Sequence, residues 1–125
     1  MVPNIRKKGL PRASRVRRCA DYAALKARGQ TVQAGPLLVA YLPRTGAIEP
    51  RLGLTISSKV GGAVVRNRVK RRVRTAFREL RETLPAVDLN VIARTGAATA
   101  SARTISSVLG EAGRSISVRL RKAST

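Results

Sequence analysis

KVGGAVVRNRVKRRVR, residues Lys59–Arg74, carries seven Lys or Arg in sixteen positions and no acid. A double glycine, Gly61-Gly62, opens the run, and its pattern continues as a helix from about Ala63 to Leu84, where Pro85 ends it. At about 100° per residue, Val65, Val69, Val73, Ala76, Phe77, Leu80 and Leu84 share one arc of roughly 120°, which is the face of a helix packed on a core. Lys70, Arg71, Arg74, Arg78 and Arg81 lie with Asn67 on the other side, and Arg68 and Arg72 sit at one edge beside Glu79 and Glu82. Lys70, Arg74 and Arg78 follow one another at i,i+4, as do Arg68 and Arg72. Each such pair costs about 0.2–0.5 kcal/mol in an isolated helix. A merely solvated face interleaves Glu with such positions, and residues 66–74 do not. A polyanion relieves the repulsion, and nucleic acid is the natural one. Arginine outnumbers lysine here, and its planar fork grips phosphate bidentately and stacks on bases. Asn67 adds an amide suited to a base edge, a ribose hydroxyl or a neighbouring carbonyl. The candidate binding set is therefore Lys59, Arg66, Asn67, Arg68, Lys70, Arg71, Arg72 and Arg74.

Working outward, Arg51–Ser57 alternates Leu52, Leu54, Ile56 against Gly53, Thr55, Ser57, the pattern of a half-buried strand. Gly61-Gly62 admits two readings: glycines that let a phosphate approach free helix N–H groups, or a plain turn with glycine as N-cap. Upstream, residues 17–28 suit a short helix stopped by Gly29. Thr31–Ala34 and Leu37–Leu42 read as one strand that bends at Gly35-Pro36, and Pro43–Pro50 as a hairpin loop. Downstream, Asp88–Arg94 reads as a strand. A last helix from about Ser101 to Leu120 places Ile105, Val108, Leu109, Ala112, Ile116 and Leu120 on one side, weakened by Gly110 and Gly113. The order helix, strands, helix, strand, helix implies an α+β fold: a small two-layer sandwich of one mostly antiparallel sheet packed by helices. Residues 1–14, with two prolines, one glycine and four basic residues, read as a flexible basic arm. Residues 15–121 read as one domain and 122–125 as a tail.

The whole chain fits this reading. It has 125 residues, 26 Lys and Arg, 6 Asp and Glu, no His, and a formal net charge of +20. Solubility needs a charge of only about 2 to 8 in magnitude. Hydrophobic residues make up 43% of the chain, enough for a core rather than a disordered basic tail. No apolar run approaches the roughly 18 residues of a membrane span, and the N-terminus lacks the apolar stretch of a secretory signal. Cys19 is the only cysteine, so no internal disulfide forms; a reducing, cytoplasmic compartment is expected, with Cys19 as a small half-buried hydrophobe. Without histidine, and with Asp21, Glu49, Glu79, Glu82, Asp88 and Glu111 scattered through different elements, the chain shows no metal-ligand spacing and no general base. It reads as a binding protein that assists chemistry carried elsewhere.

The run Ala63-Val64-Val65-Arg66-Asn67-Arg68-Val69-Lys70-Arg71, continuing to Ala76-Phe77, resembles the helix signature of the protein subunit of bacterial ribonuclease P. The strand Arg51-Leu52-Gly53-Leu54-Thr55-Ile56-Ser57, the pair Asp21-Tyr22 and the strand Asp88–Arg94 are similar to other parts of that family, over roughly residues 9–113. The chain departs from it in having Ser57-Ser58-Lys59 for Ser-Lys-Lys, Gly62 for Asn, Tyr22 for Phe, and Ala40 where relatives often have an aromatic. The resemblance implies a sandwich like the second domain of ribosomal protein S5, with a left-handed β-α-β crossover. It implies a non-catalytic subunit that helps an RNA enzyme remove the 5′ leader of precursor tRNA. Its partners would be that catalytic RNA and precursor tRNA, in a 1:1 protein–RNA complex with a monomeric protein and no membrane. Mg²⁺ would be bound mainly by the RNA. The implied leader cleft, between the first helix and the sheet, would take Tyr22, Lys26, Leu38 and Tyr41, although Tyr22 also reads as a plain core residue. A ribosomal protein and a nucleoid-type DNA binder share the size and charge and stand as rivals.

Overall fold

The computed structural model describes residues 14–16, 18–44 and 46–124. Helix α1 (Cys19–Arg28) leads to strands β1 (Gln30–Ala34), β2 (Leu37–Pro43) and β3 (Arg51–Ile56). Helix α2 (Ala63–Leu80), a 3-10 turn (Arg81–Thr83), β4 (Val87–Ala93), a second 3-10 turn (Thr95–Ala98) and α3 (Ala102–Ser124) complete the order. The four strands make one mixed sheet in the order β1-β2-β4-β3. The β1–β2 and β2–β4 pairs are antiparallel, and β3–β4 is parallel. Parallel neighbours need a crossover connection, which α2 supplies.

Register assigns each strand residue to a face. Val39, Val91 and Leu54 stand opposite one another, as do Tyr41, Leu89 and Leu52. With Val32 and Leu37 they form the inner face, which α2 and α3 cover through Val69, Val73, Phe77, Ile105, Leu109 and Ile116. The two apolar arcs expected from the sequence all pack into this core, with Val65, Leu80, Val108 and Leu120 at its margins. Arg119 of α3 ties the layer to the edge strand by donating to the Thr31 carbonyl at 3.0 Å.

Several expectations are corrected. Residues 31–42 are not one bent strand but two strands joined by a tight turn at Gly35-Pro36, where Gly35 has φ +53, a left-handed conformation open to glycine. Residues 43–50 are not a hairpin loop, because β4 lies between β2 and β3. The long helix ends at Leu80 and finishes as a 3-10 turn, and α3 runs on to Ser124, through most of the expected tail. Cys19 is exposed at the start of α1 rather than half-buried. The expected arm lies outside the described residues except for Ser14, and Ser14–Val16 already runs beside the outer edge of β3: Arg15 bridges Leu52, and the Val16 N–H donates to the Leu52 carbonyl at 2.9 Å.

Candidate nucleic-acid interface

The outer face of the sheet carries Arg51, Gly53 and Thr55 from β3, Asp88, Asn90 and Ile92 from β4, and Leu38, Ala40 and Leu42 from β2. Helix α1 lies over part of this face and is fixed there by two adjacent residues. Asp21 approaches Arg51 at 3.5 Å. Arg51 in turn grips Asp88 with two bonds of 2.7 Å, Nε to Oδ1 and Nη2 to Oδ2, and Arg44 adds an ion pair to Asp88 at 3.5 Å. Hydrogen bonding to Asp88 is the chief reason the Arg51 guanidinium is raised above its ordinary value. One residue on, the phenol end of Tyr22 packs against Gly53, where a Cβ would stand 2.7 Å from the tyrosine hydroxyl and 3.0 Å from two ring carbons. Asp21-Tyr22 and Arg51-Leu52-Gly53, thirty residues apart in sequence, are two halves of one joint.

Beside this joint, Arg15, Val16, Tyr22, Leu52, Gly53, Leu54, Lys70 and Arg74 line a recess of about 240 Å³. It holds three cations and no acid. Burial, and then the charge of Arg15, lower the Arg74 guanidinium from its ordinary value. The Arg15 Nε is buried with no hydrogen-bond partner among the described residues. A phosphate placed there would reverse the repulsion and engage the unpaired N–H.

The helical angles divide the basic stripe of α2 into three rows. Lys70 and Arg74 face the recess. Asn67 and Arg71 are exposed on the outermost row. Arg68 and Arg72 turn the other way and donate to the Ala98 and Ala100 carbonyls, holding the segment that enters α3; the Arg68 Nε is buried without a partner among the described residues. Arg66 donates to the Gly61 carbonyl at 3.2 Å, and Lys59 is exposed in the preceding turn. At Gly61 a Cβ would come within 2.8 Å of the Val65 side chain, so that glycine serves a close approach of backbone to helix.

Of the expected cleft residues, Tyr22 and Leu38 share the outer side of the sheet, and Lys26 is exposed on α1. Tyr41 is a correction. It is 2% exposed on the inner face, with its hydroxyl donating to Gln30 Oε1 at 3.0 Å. Leu38 and Tyr41 are an odd number of residues apart, and strand side chains alternate, so both cannot face one cleft. The sequence reading missed Arg15, Thr55, Asn90 and Ile92. The last three are visible only through the register of β3 on β4. Among the described residues no helix is long and apolar enough to cross a membrane.

A family model described as Ribonuclease P matches residues 10–116. The ribonuclease P protein component of Gluconacetobacter diazotrophicus is 39% identical over 114 residues, covering 90% of this chain and 92% of its own. That of Shouchella clausii is 37% identical over 101 residues, covering 80% and 83%. Among solved structures, the RNase P protein of Staphylococcus aureus superposes with a TM-score of 0.73 at 29% identity, covering 79% of this chain and 91% of its own. The Thermotoga maritima protein gives 0.72 at 27% identity, with 80% and 96% covered.

Proposed function

The chain belongs to the ribonuclease P protein family, and from that premise we propose that it binds the catalytic RNA of the enzyme and the 5′ leader of precursor tRNA, assisting removal of the leader. The observation that carries the leader reading is the joint of α1 with the outer sheet face. There an aromatic ring, a half-exposed apolar floor of Leu38 and Ile92, and an acid-free recess stand together. A single strand needs these elements: a ring or apolar surface for its bases and cations for its backbone. Tyr22 and the sheet floor hold bases, Lys26 flanks them, and Arg15, Lys70 and Arg74 take a leader phosphate. The outer row, Asn67 and Arg71, with Lys59 and Arg66, meets the catalytic RNA. Arg68 and Arg72 serve that surface while also holding the Ala98–Ala100 segment.

Nothing in this arrangement moves a proton or attacks phosphorus, and the reacting groups belong to the RNA. Mg²⁺ supplies charge neutralisation and activation of water in such hydrolysis. This chain's donors do not fit a cage for it: no three His, Cys, Asp or Glu cluster among the described residues, and Asp21 and Asp88 are committed to arginines. We assign Mg²⁺ to the RNA, and the protein to a 1:1 cytoplasmic complex. The test is equilibrium binding of precursor and mature tRNA to the reconstituted complex. Tyr22→Ala should weaken precursor binding by the about 1–3 kcal/mol of one stacked base and leave mature tRNA unaffected. Equal weakening of both removes the cleft from the leader.

A further inference from the structure

Helices α2 and α3 run side by side in the same direction, with Leu80 beside Gly110 and Leu84 against Gly113. The core fills the sheet side of their seam, so the seam opens on the opposite side of the molecule from the α1 cleft. Two recesses follow one another along it. The first, about 470 Å³, lies between Arg72, Thr75 and Glu79 of α2 and Arg103, Ser106 and Ser107 of α3. The second, about 500 Å³, has an apolar floor of Leu80, Leu84, Gly110, Gly113 and Val118, with Arg114 and Arg121 exposed at its rim. Glycine weakens a helix, and the two here differ in what they give back. At Gly113 a Cβ would come within 2.5 Å of Leu84, so its absence lets the helices meet. At Gly110 the nearest atoms would be 3.7–3.9 Å away. A side chain fits there, and its absence leaves a dent over Leu80 that packing does not require. Val118 beside it is 39% exposed, an apolar side chain left in solvent. Arg103, Arg114 and Arg121 make no hydrogen bond or ion pair among the described residues.

We propose that this seam is the docking groove for an acidic amphipathic helix of a partner protein. Its apolar residues, at helical spacing, enter the second recess, and its carboxylates meet Arg103, Arg114 and Arg121. From Ala102 to Arg121 the seam is roughly 28 Å long at about 1.5 Å per residue, room for about five turns. Other occupants are opposed by charge or by shape. Residues 1–13 carry Arg6, Lys7, Lys8 and Arg12 and no acid, and a second copy of this chain brings a net charge of +20 to the same arginines. Both are repelled. Single-stranded RNA matches the charge, but its bases stack on aromatic rings. The three aromatics of the chain lie elsewhere, Tyr22 at the α1 joint and Tyr41 and Phe77 in the core. Glu79 also stands in the wall of the seam, where it repels a phosphate, whereas the recess beside α1 has no acid. Because the groove opens away from the cleft, the protein can hold RNA and the partner together.

The experiment uses the full chain saturated with its RNA subunit, so that the basic stripe of α2 is already covered, and a displayed library of helical peptides about five turns long. Selection should enrich peptides that combine Asp and Glu with Leu, Ile or Met at helical spacing. The tightest of them is then titrated by fluorescence anisotropy beside polyglutamate of equal charge. It should bind at least about tenfold more tightly than polyglutamate, because charge alone does not fill the apolar recess. Gly110→Leu, which fills the dent, and Val118→Ser, which removes the exposed apolar wall, should each weaken the peptide about tenfold. Both should leave RNA affinity unchanged and the thermal midpoint no lower. Arg121→Gln should weaken the peptide more at low salt than at high. Selected peptides that are acidic without apolar periodicity, or that keep their affinity in both Gly110→Leu and Val118→Ser, overturn the proposal. So does a loss of RNA affinity rather than peptide affinity in those two variants, which would assign the seam to RNA.

Discussion

Replacing Asp88 by alanine should cost about 3 kcal/mol, because it removes one side of a pair that is mostly out of water. The Asp88 side chain is 10% exposed and that of Arg51 is 23%. Two charge-assisted bonds of 2.7 Å disappear, and so does the Arg44 contact at 3.5 Å. Each such bond contributes about 1.5–3 kcal/mol, and truncating a buried pair typically costs about 3–5. The lower end applies, since Arg51 keeps Asp21 at 3.5 Å and some access to solvent. For a chain of this size about 1 kcal/mol moves the midpoint of thermal unfolding by about 4 °C, so a fall of about 12 °C is expected by circular dichroism. Asp21→Ala is the internal comparison. Its pair with Arg51 is longer and 27% exposed on the aspartate, so about 0.5 kcal/mol, or 2 °C, is expected. It should nonetheless lower precursor affinity, because α1 loses its tie to β3 beside Tyr22. A fall of less than about 4 °C for Asp88→Ala, or one equal to that of Asp21→Ala, refutes the view that this aspartate anchors the joint.

Gly53→Ala should destabilise by about 1–3 kcal/mol through the collision with Tyr22, and by much less in a Tyr22→Ala background, a coupling that chemical denaturation of the four proteins would measure. Lys70→Gln and Arg71→Gln should each flatten the log–log salt dependence of RNA affinity by nearly one unit; an unchanged slope moves the contact elsewhere. Arg71→Gln should leave the thermal midpoint alone, whereas Arg68→Gln should also lower it by the equivalent of about 1.5 kcal/mol, having released the Ala98 carbonyl. The protein alone should cleave nothing, and adding it to the catalytic RNA should reduce the Mg²⁺ needed for cleavage. Metal-dependent cleavage by RNA-free protein would overturn the division of labour.

The helices were the legible part of the chain, since one apolar arc of about 120° repeats through α2 and again through α3, and both arcs pack as their periods require. The sheet was less legible for a topological reason. Nothing local in Pro43–Pro50 says that a strand 40 residues further on will wedge between β2 and β3, so the segment imitates a hairpin. Residues 31–42 misled in a similar way, because an alternating pattern that continues across a two-residue turn looks like a strand that only bends. In the candidate site, the motif residues of α2 were visible as charge density, but charge density does not say which guanidinium is committed internally: Arg68 and Arg72 hold carbonyls, and Arg71 holds nothing of the kind. Arg15 and Asn90 take on meaning only when β3 is known to lie between the N-terminal segment and β4. Tyr41 was within reach of the sequence, since strict alternation from Leu38 already assigns it to the opposite face.

The strand order β1-β2-β4-β3 also dictates what the growing chain can do while it is being made. Synthesis delivers β1 and β2 first, and they can pair at once. Strand β3 and all the arginines of α2 then emerge before the strand that β3 joins among the described residues, β4, whose last residue is Ala93. Until then the nascent chain can pair only its first two strands, and the polycationic segment that follows them has no scaffold. The sheet closes only when β4 inserts between its two neighbours, a non-local step. A chain truncated before Asp88 would carry the full binding motif and lack the scaffold that aims it.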